Sequence, residues 1–573
     1  MRLIDTTTGE LSYFMADIPP YAILSHTWVP GEEMSLREYE LTFTSGHDSR
    51  TSELIAKLKL KSGYGKIQKC LRLAKSQGIE WAWIDTCSID KTSSAELSEA
   101  INSMFKWYKN ADVCYVYLED VHVVGSALKD LNLLDVSHDF YQTKWFTRGW
   151  TLQELIAPLN LQFYSSDWDF IATKSAIADI LTRATGIPTE ALLNGTTSRW
   201  SVSQRMSWAA HRTTTRTEDM AYCLLGLFDL QMPMLYGEGS KAFIRLQEQI
   251  AATIEDHSIF AWQASGNTMS PQDKISNHRG LFARHPSEFA DGRLLSPNYT
   301  DLSRSSIQWG LMSKGFHLNL PLISWKEAQE LPDALSPFRI DGQERVYDTP
   351  KENRDVVAVL SCRRELDYVG IWLTPLGNDN RFARVRVHEL VYLTPKMPRS
   401  FFDGLKEHAK DVWVNNLSNL SQLYSSARTG GLYLPRMSSK LESEMIVISR
   451  PDTWNPKKRT IRNRGSTMIR NGGWLATIVF PQFFAPRMII FGYLHGDSQL
   501  AYAVLDSDQA RAEHDYQIDF TLAKRDFGLT NSSGTVRFIL RDGDESVRYN
   551  CEIGSVVVHD ILLTRFTISQ SKH

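Results

Sequence analysis

The sequence predicts an α/β domain with a parallel sheet at the start of the chain, followed by a β-rich half built from antiparallel strands. Between residues 21 and 165, short apolar runs alternate with amphipathic segments of helical period. This pattern is typical of parallel sheets covered by helices on both faces. After residue 280, short alternating runs are separated by turn residues, which favours antiparallel sandwiches or barrels. With 573 residues the chain is too long for one core, so we expect several domains.

The individual elements follow from length, period and stop signals. Residues 66–78 carry apolar side chains on one helical face and end at a glycine, which marks the end of a helix. Ser93 and Glu96 have the spacing of a capping box that opens a helix, and Thr215 and Glu218 repeat that spacing. We also predict strands at 22–25, 81–85, 113–118 and 161–165, a short helix at 151–157 and a longer one at 241–254.

The domain organisation is predicted from composition. Residues 170–262 have helical patterns, and we group them with the α/β core of residues 21–165 into one unit, 1–262. Residues 263–280 are polar and rich in Gly, Ser and Pro, which is typical of a linker. The β-rich half then comprises residues 281–573.

Bulk composition argues against several functional classes. A net charge of −3 gives no basic field that would attract nucleic acid or an anionic membrane. The six cysteines are scattered without a CxxC pair, so we expect neither a metal site nor a disulfide framework. The most apolar segment, residues 474–494, contains Gln482, Arg487 and two prolines, which predicts two buried strands and no membrane span. Because the N-terminus lacks a signal-peptide pattern, we expect a cytoplasmic protein.

Five motifs occur in order along the first part of the chain. They are YAILSHTW (21–28), WIDTCSIDK (83–91), WFTRGWTLQEL (145–155), RTTTRTEDMAYCLLGLF (212–228) and MPMLYGEG (232–239). Together they resemble the HET domain of fungal heterokaryon-incompatibility proteins, over roughly residues 1–262. Ser88 stands where that family often shows a second cysteine after Cys87. The resemblance implies self/non-self recognition between fungal strains that ends in regulated cell death.

HET domains are in turn remotely similar to TIR domains, which implies a TIR- or flavodoxin-like parallel sheet with added helices. Residues 149–155, GWTLQEL, resemble the Ser-x-Trp-Cys-x-x-Glu-Leu stretch of plant TIR domains, whose Glu is the catalytic residue of an NAD-cleaving enzyme. The resemblance therefore implies that Glu154 is catalytic, although Thr151 replaces the cysteine of that stretch. It implies NAD⁺ as the substrate, no separate cofactor and, because TIR-like sites often need assembly, a homo-oligomer.

Further candidate site residues lie where two predicted strands end. Ser25, His26 and Trp28 follow the first strand, and Asp85 and Cys87 follow the second. In open parallel sheets, ligands bind outside the carboxyl ends of the strands. We therefore predict that these five residues line a pocket. The competing interpretation is that the polar ones cap turns while the others pack in the core.

Aromatic and basic residues near these motifs suit a dinucleotide. Trp28 or Trp150 could stack on an adenine or nicotinamide ring. Arg148 and Arg216 are candidate partners of a pyrophosphate, because guanidinium groups bind phosphate oxygens in pairs. Arg216 alternatively pairs with the acidic residues that follow it.

Three alternatives stay open. Thr151 and Glu154 have capping-box spacing, so Glu154 could serve only to cap a helix. His26, Asp85 and Cys87 could form a thiol nucleophile with its base, although a small cysteine near a strand end usually belongs to the core. The chain could also be a non-catalytic HET signalling module that oligomerises and binds a partner. Under every hypothesis, a protein trigger of unknown identity starts the response.

Overall fold

The computed structural model describes most of the N-terminal part and selected segments of the rest. The described ranges are 1–44, 49–122, 140, 142–264, 278–297, 309–312, 315–324, 338–340, 355–376, 380–393 and 409–415, followed by strands between residues 431 and 570.

The first part of the chain is built on a seven-stranded sheet. Its strands are β1 (Arg2–Asp5), β2 (Leu11–Tyr13), β3 (Tyr21–His26), β4 (Trp81–Trp83), β5 (Val113–Tyr117), β6 (Leu161–Tyr164) and β7 (Phe170–Thr173). The spatial order is β2-β1-β4-β3-β5-β6-β7. Strands β4, β3, β5 and β6 are parallel neighbours, and antiparallel strands extend the sheet at both ends. The predicted parallel sheet and the predicted adjacency of strands 22–25 and 81–85 are confirmed.

Helices surround this sheet. They are α1 (Leu36–Leu41), α2 (Ser49–Lys59), α3 (Ser62–Ser76), α4 (Asp85–Ser88), α5 (Ser94–Asn110) and α6 (Thr151–Ile156). Successive side chains of β3 point to opposite faces, as in any strand. Tyr21 and Ile23 pack in one core with side chains of α5 and α6, whereas Ala22 and Leu24 pack in another with α3. The sheet is therefore buried on both faces, as a parallel sheet requires.

Three local predictions need correction. Strand β4 ends at Trp83, not at residue 85, because Asp85 already opens α4. The predicted Thr215–Glu218 capping box is wrong, since the helix there begins at Asp219 and has no side-chain cap. Glu218 instead accepts hydrogen bonds from the backbone N–H groups of Gly237 (2.8 Å) and Gly239 (3.0 Å). The Ser93 hydroxyl does cap α5 by accepting from the N–H of Glu96, but the predicted capping box is incomplete, because the Glu96 carboxylate accepts from the N–H of Asp90 (2.8 Å).

A set of helices follows the sheet. These are α7 (Ala178–Thr185), α8 (Thr189–Asn194), α9 (Val202–Ser207), α10 (Asp219–Tyr222) and α11 (Lys241–Thr253). The predicted helical character of residues 170–262 is confirmed, apart from β7 near its start.

The next part of the chain is β-rich and partly a barrel. Its strands are β8 (His278–Arg279), β9 (Leu295–Pro297), β10 (Gly310–Met312), β11 (Gly315–Ser324), β12 (Phe338–Ile340), β13 (Val356–Arg364), β14 (Asp367–Pro375), β15 (Arg381–Val385), β16 (Val391–Leu393) and β17 (Ala409–Val414). Strand β14 pairs with β13, β13 with β11, β11 with β17, β17 with β15, and β15 again with β14. This closed ring is antiparallel except between β15 and β17, so the barrel form of the predicted β-rich half is present here.

Beyond residue 430, two more sheets are described. Strands β18 (Gly431–Tyr433), β20 (Trp454–Asn455), β21 (Thr460–Arg462), β25 (Thr535–Asp542), β26 (Glu545–Val558) and β27 (Ile561–Gln570) form one of them, and β19 (Ile446–Ser449), β22 (Gly473–Phe480), β23 (Arg487–Tyr493) and β24 (Leu500–Leu505) form the other. Residues 474–494 thus contain two antiparallel strands, as predicted. None of the helices in the described ranges has the length and apolar character needed to cross a membrane.

The helical part and the barrel are in direct contact. Trp262 donates its indole N–H to the carbonyl of Leu281 (2.9 Å), and Gln247 bonds to the backbone of Ala283. The backbone N–H of Ala264 bonds to the carbonyl of Val387 (2.7 Å). Most of the segment predicted as a linker, residues 265–277, lies outside the described residues. The domain boundary at 263–280 stays a prediction.

Candidate functional site

The start of helix α6 determines where Glu154 points. The N-cap position is Trp150, which has helical dihedral angles and provides no side-chain cap. Thr151 is already inside the helix, and its hydroxyl donates to the carbonyls of Trp145 (2.5 Å) and Arg148 (2.9 Å). The capping-box interpretation of Thr151 and Glu154 is therefore wrong.

The carboxyl group of Glu154 instead faces the carboxyl end of β3. Its Oε2 accepts a hydrogen bond from the Ser25 hydroxyl, which itself accepts from the indole N–H of Trp145 (2.8 Å). The Tyr108 hydroxyl, which donates to the Leu24 carbonyl (3.0 Å), is also close enough to Glu154 to lower its pKa. Glu154 is only 7% exposed. Its carboxyl group is thus held on the sheet by hydroxyl groups.

Burial dominates the electrostatics of this carboxyl group. Removal from water raises the pKa of Glu154 to about 8, and the negative charge of Asp85 acts in the same direction. The hydrogen bonds from Ser25 and Tyr108 and the positive charge of Arg212 oppose this rise. A carboxyl group that titrates near neutral pH can gain or lose a proton under physiological conditions, as catalytic carboxyl groups do.

Arg212 is a site residue that the sequence interpretation missed. Its side chain is buried, and Nη1 donates to the carbonyl of Arg148 (2.8 Å) and to the hydroxyl of Thr151 (2.9 Å). Nε donates to the carbonyl of Trp208 (3.3 Å). Arg212 is the first residue of the motif 212–228, which was the one sequence feature that could have pointed to it. Nothing in the spacing of the motifs linked Arg212 to Glu154.

An exposed aromatic ring lies at the rim of this site. Trp28 is 51% exposed, and its indole N–H donates to Oδ2 of Asp85 (3.0 Å). The ammonium group of Lys91 lies 3.6 Å from the centre of the Trp28 ring, which is a cation–π contact. The structure brings Ser25, Asp85 and Glu154 together at one edge of the sheet. Their role in binding a substrate stays a prediction.

His26 and Cys87 lie apart from Glu154. Cys87 packs in the core on the α3 side of the sheet, and burial raises the pKa of its thiol. The Nε2 atom of His26 lies 3.4 Å from Oε2 of Glu33, which also pairs with Lys66. Although burial alone would raise it, hydrogen bonds and charges from His26 and Lys66 lower the pKa of Glu33 to about 2. The geometry thus gives no support to a Cys87–His26 nucleophile.

The two candidate phosphate-binding arginines have different partners. The Nη2 atom of Arg148 donates to the hydroxyl of Thr215 (2.9 Å), the residue directly before Arg216. The guanidinium group of Arg216 is exposed and lies 4.5 Å from the centre of the Tyr236 ring. Their joint role in binding a phosphate stays a prediction.

Trp150 lies between this surface and the core. Its side chain packs against the main hydrophobic cluster and is hydrogen-bonded to Asp219. Burial raises the pKa of Asp219, and hydrogen bonds from Tyr236 and Trp150 oppose that rise. Trp150 thus joins α6 to α10.

Among the residues that the structure describes, no group of three or more His, Cys, Asp or Glu side chains could hold a metal ion. The expectation of chemistry without a metal stays a prediction.

Comparisons with known proteins show what two segments of the chain are similar to. Residues 21–133 match the family model "Heterokaryon incompatibility protein (HET)", and residues 241–309 match a domain of unknown function (DUF8212). The vegetative incompatibility protein HET-E-1 of Podospora anserina is 46% identical over 240 residues, which are 41% of this chain and 16% of that protein. The chain thus spans a small part of this relative. No solved structure matches.

The class of the protein follows from these findings. Its N-terminal part is an α/β domain with a buried carboxyl group at the carboxyl edge of a parallel sheet. The N-terminal part thus contains a HET domain, matched over residues 21–133.

Proposed function

We propose that this chain is a cytoplasmic effector of fungal allorecognition and regulated cell death, and that its HET domain cleaves NAD⁺ into nicotinamide and ADP-ribose. The relative from Podospora anserina is a vegetative incompatibility protein, which supports the biological role. One observation carries the chemistry: Glu154 does not cap its own helix and presents a titratable carboxyl group at the sheet edge, bonded to Ser25.

The proposed reaction breaks the bond between the ribose C1′ atom and the nicotinamide nitrogen. The electron pair of that bond leaves with the nicotinamide ring, which becomes neutral, while positive charge develops on the ribose. Water adds to C1′ and releases one proton. An ionised Glu154 stabilises the developing cation, as carboxylates do in glycoside cleavage. At about 4 Å and an effective dielectric constant near 20, this attraction amounts to about 4 kcal/mol, or about three decades of rate.

The remaining candidates recognise the rest of the dinucleotide in this proposal. Trp28 offers an exposed ring at the rim, and Trp150 lies at the start of the same helix as Glu154. Arg148, which is bonded to Thr215, and the exposed Arg216 offer two guanidinium groups to the pyrophosphate. NAD⁺ is the substrate, so no cofactor is needed. We further propose a TIR-like domain that acts as a homo-oligomer.

A second candidate function is a non-catalytic signalling module. The observation that favours it is the small exposure of Glu154, which is 7%, together with the protein hydroxyl groups around it. A protonated buried acid can simply hold a helix on a sheet by its hydrogen bonds. In that case the HET domain would act by oligomerising and by binding a partner.

The two candidates are distinguished by incubating the purified full-length chain with NAD⁺ and measuring free nicotinamide. Because an assembled form is proposed, the protein concentration is varied over several orders of magnitude. Nicotinamide release that rises more steeply than the protein concentration supports an oligomeric enzyme. If no nicotinamide is released at a concentration where the chain is oligomeric, the catalytic proposal is abandoned in favour of the signalling module.

A further inference from the structure

We propose that Arg212 is the positioning residue of this site: it fixes the first turn of α6 and supplies the positive charge that lets the Glu154 carboxyl group ionise. The part of this inference that concerns catalysis rests on the proposed function. The part that concerns ionisation of Glu154 does not.

Hydrogen bonds on either side of Trp145 connect the two side chains, through its backbone carbonyl towards Arg212 and through its indole N–H towards Glu154. Nη1 of Arg212 donates to the Thr151 hydroxyl (2.9 Å), which donates to the carbonyl of Trp145 (2.5 Å). The indole N–H of Trp145 donates to the Ser25 hydroxyl (2.8 Å), which donates to Glu154. Thr151 precedes Glu154 by three residues, so both side chains lie on the same side of the helix. Loss of the guanidinium group would therefore remove the hydrogen bond that Arg212 donates to the Thr151 hydroxyl.

The backbone holds Arg212 in place independently of its side chain. The N–H of Gly149 donates to the carbonyl of Thr213 (2.9 Å), and the N–H of Thr213 donates to the carbonyl of Thr147 (2.7 Å). The segments approach so closely that a Cβ atom on Gly149 would lie 2.5 Å from Cγ2 of Thr214. Because these backbone bonds do not involve the guanidinium group, substitution of Arg212 should leave the segment in place.

The charge of Arg212 is directed at Glu154. A buried guanidinium group is costly unless a negative charge compensates it. All its hydrogen bonds given above go to neutral oxygen atoms, from Arg148, Thr151 and Trp208. Burial lowers the pKa of Arg212 to about 10, and the negative forms of Cys223 and Glu154 oppose this. Since burial also raises the pKa of the Cys223 thiol, Glu154 is the group that can supply the compensating charge.

The other titratable groups that face Glu154 do not favour its ionised form by their charge. They are Asp85 on α4, Tyr108 on α5 and Cys114 on β5. The negative charge of Asp85 raises the pKa of Glu154, whereas the positive charge of Arg212 lowers it. Tyr108 and Cys114 are buried and neutral near pH 7, because burial raises both of their pKa values. Arg212 is the cation among these groups.

The test measures the ionisation of Glu154 without any substrate. The free energy of unfolding is followed against pH for the wild type and Glu154→Gln, and again for both in an Arg212→Gln background. The difference within each pair should change between the pKa of Glu154 in the unfolded chain and its pKa in the folded chain, so the pH at which the change levels off gives the folded-state midpoint of Glu154. We expect Arg212→Gln to raise this midpoint by about half a pH unit. Arg212→Lys, which keeps the charge, should shift it much less.

The kinetic test then separates position from charge. Arg212→Lys cannot bond to Thr151 and the Arg148 carbonyl with the same geometry, so we expect a lower kcat with KM within about twofold. Thr151→Val removes the hydroxyl group to which Arg212 donates, so it should also lower kcat. Thr151→Ser keeps a hydroxyl group there and should have the kcat of the wild type. These two variants test the hydrogen bond between Arg212 and Thr151 even if Arg212→Gln does not fold.

The outcomes are distinguishable. An unchanged Glu154 midpoint in Arg212→Gln, or an unchanged kcat in both Arg212→Lys and Thr151→Val, would overturn the assignment of Arg212. A shifted midpoint in a wild type that releases no nicotinamide would instead retain the electrostatic role of Arg212 and remove the proposed function.

Discussion

Two buried glutamate residues in this chain, Glu288 and Glu154, differ in the groups that donate hydrogen bonds to their carboxyl oxygens. Glu288 lies at the contact between the helical part and the barrel. Its two carboxylate oxygens accept hydrogen bonds from Nη1 and Nη2 of Arg279, at 2.7 and 3.0 Å. It also accepts from the backbone N–H of Arg284 (2.9 Å). Glu154, at the edge of the parallel sheet, is bonded to the hydroxyl of Ser25. A buried carboxylate paired in a bidentate manner is a structural element, whereas one surrounded by hydroxyl groups keeps an adjustable proton.

The surroundings of Glu288 reinforce this difference. Trp262 lies against two guanidinium groups, with Arg384 3.6 Å and Arg279 4.5 Å from its ring centre. Arg384 also donates to the carbonyls of Phe260 (2.7 Å) and Trp262. Arg279 and Glu288 form an ion pair, whereas Arg384 is held by two carbonyl groups and the Trp262 ring. The cluster therefore joins the helical part to the barrel, and we assign it no chemistry.

The largest expected effect concerns Glu154 itself. Replacing its carboxylate by an amide removes the charge that opposes the developing cation. We expect Glu154→Gln to lower the rate of nicotinamide release by a factor on the order of a thousand. Glu190→Gln is the matched control, because Glu190 forms an exposed ion pair with Arg199 and should leave the rate unchanged. Wild-type activity in Glu154→Gln would remove Glu154 from the mechanism.

The second prediction concerns the structural cluster. Arg279→Met leaves Glu288 buried without its partner, which should lower the free energy of unfolding by about 3 kcal/mol. The matched substitution Arg199→Met breaks an exposed pair and should cost less than about 1 kcal/mol. Denaturant titration of both variants measures the contrast. Equal, small losses would mean that the Arg279–Glu288 pair does not hold the junction together.

The third prediction is that Glu154→Gln stabilises the folded chain at high pH and not at low pH. The pKa of Glu154 is raised in the folded chain from 4.5 to about 8, so the folded state binds the extra proton between these values. The stability of the wild type therefore decreases as pH rises from about 4.5 to 8 because of this group. Glu154→Gln lacks this loss, and above pH 8 it should be more stable than the wild type. Because the amide cannot form all the hydrogen bonds of the carboxyl group, we expect the free energy of unfolding of this variant to exceed that of the wild type by about 2 kcal/mol.

Denaturant titrations at pH 4 and pH 9 check this prediction. The advantage of Glu154→Gln should be present at pH 9 and absent at pH 4. A variant that is less stable than the wild type at pH 9 would show that the folded protein stabilises the ionised carboxylate of Glu154.

The smallest expected effect is at the rim. Trp28→Ala removes the exposed ring, and stacking on a base contributes about 1–3 kcal/mol, so KM for NAD⁺ should rise by about tenfold with little change in kcat. Trp28→Phe retains a ring and is the matched control. If kcat falls while KM is unchanged, Trp28 acts by holding Asp85, to which its indole N–H donates.

Much of the fold could be predicted from the sequence, because strand and helix periods are local signals. The convergence of Ser25 and Glu154 was also predictable, since the carboxyl ends of parallel strands meet at one edge. His26 could have been separated from Ser25 by the same reasoning, because neighbouring residues of a strand point to opposite faces.

The start of α6 and the role of Arg212 could not be predicted in this way. Capping-box spacing at Thr151 and Glu154 is a local signal, but contacts with distant residues decide which residue begins the helix. Arg212 reaches Thr151 across 61 positions of the chain, and no period or motif encodes that contact. A local pattern is a poor guide where a buried charge from elsewhere competes for the same hydroxyl group.

The most direct test of the account is the pH dependence of kcat/KM for nicotinamide release by the wild type. Because Glu154 must be ionised to stabilise the developing cation, and because burial raises its pKa to about 8, kcat/KM should rise about tenfold per pH unit below pH 8 and level off above it. A profile that is flat between pH 5 and 9, or that falls as the pH rises, would contradict the assignment of Glu154 as the catalytic carboxylate.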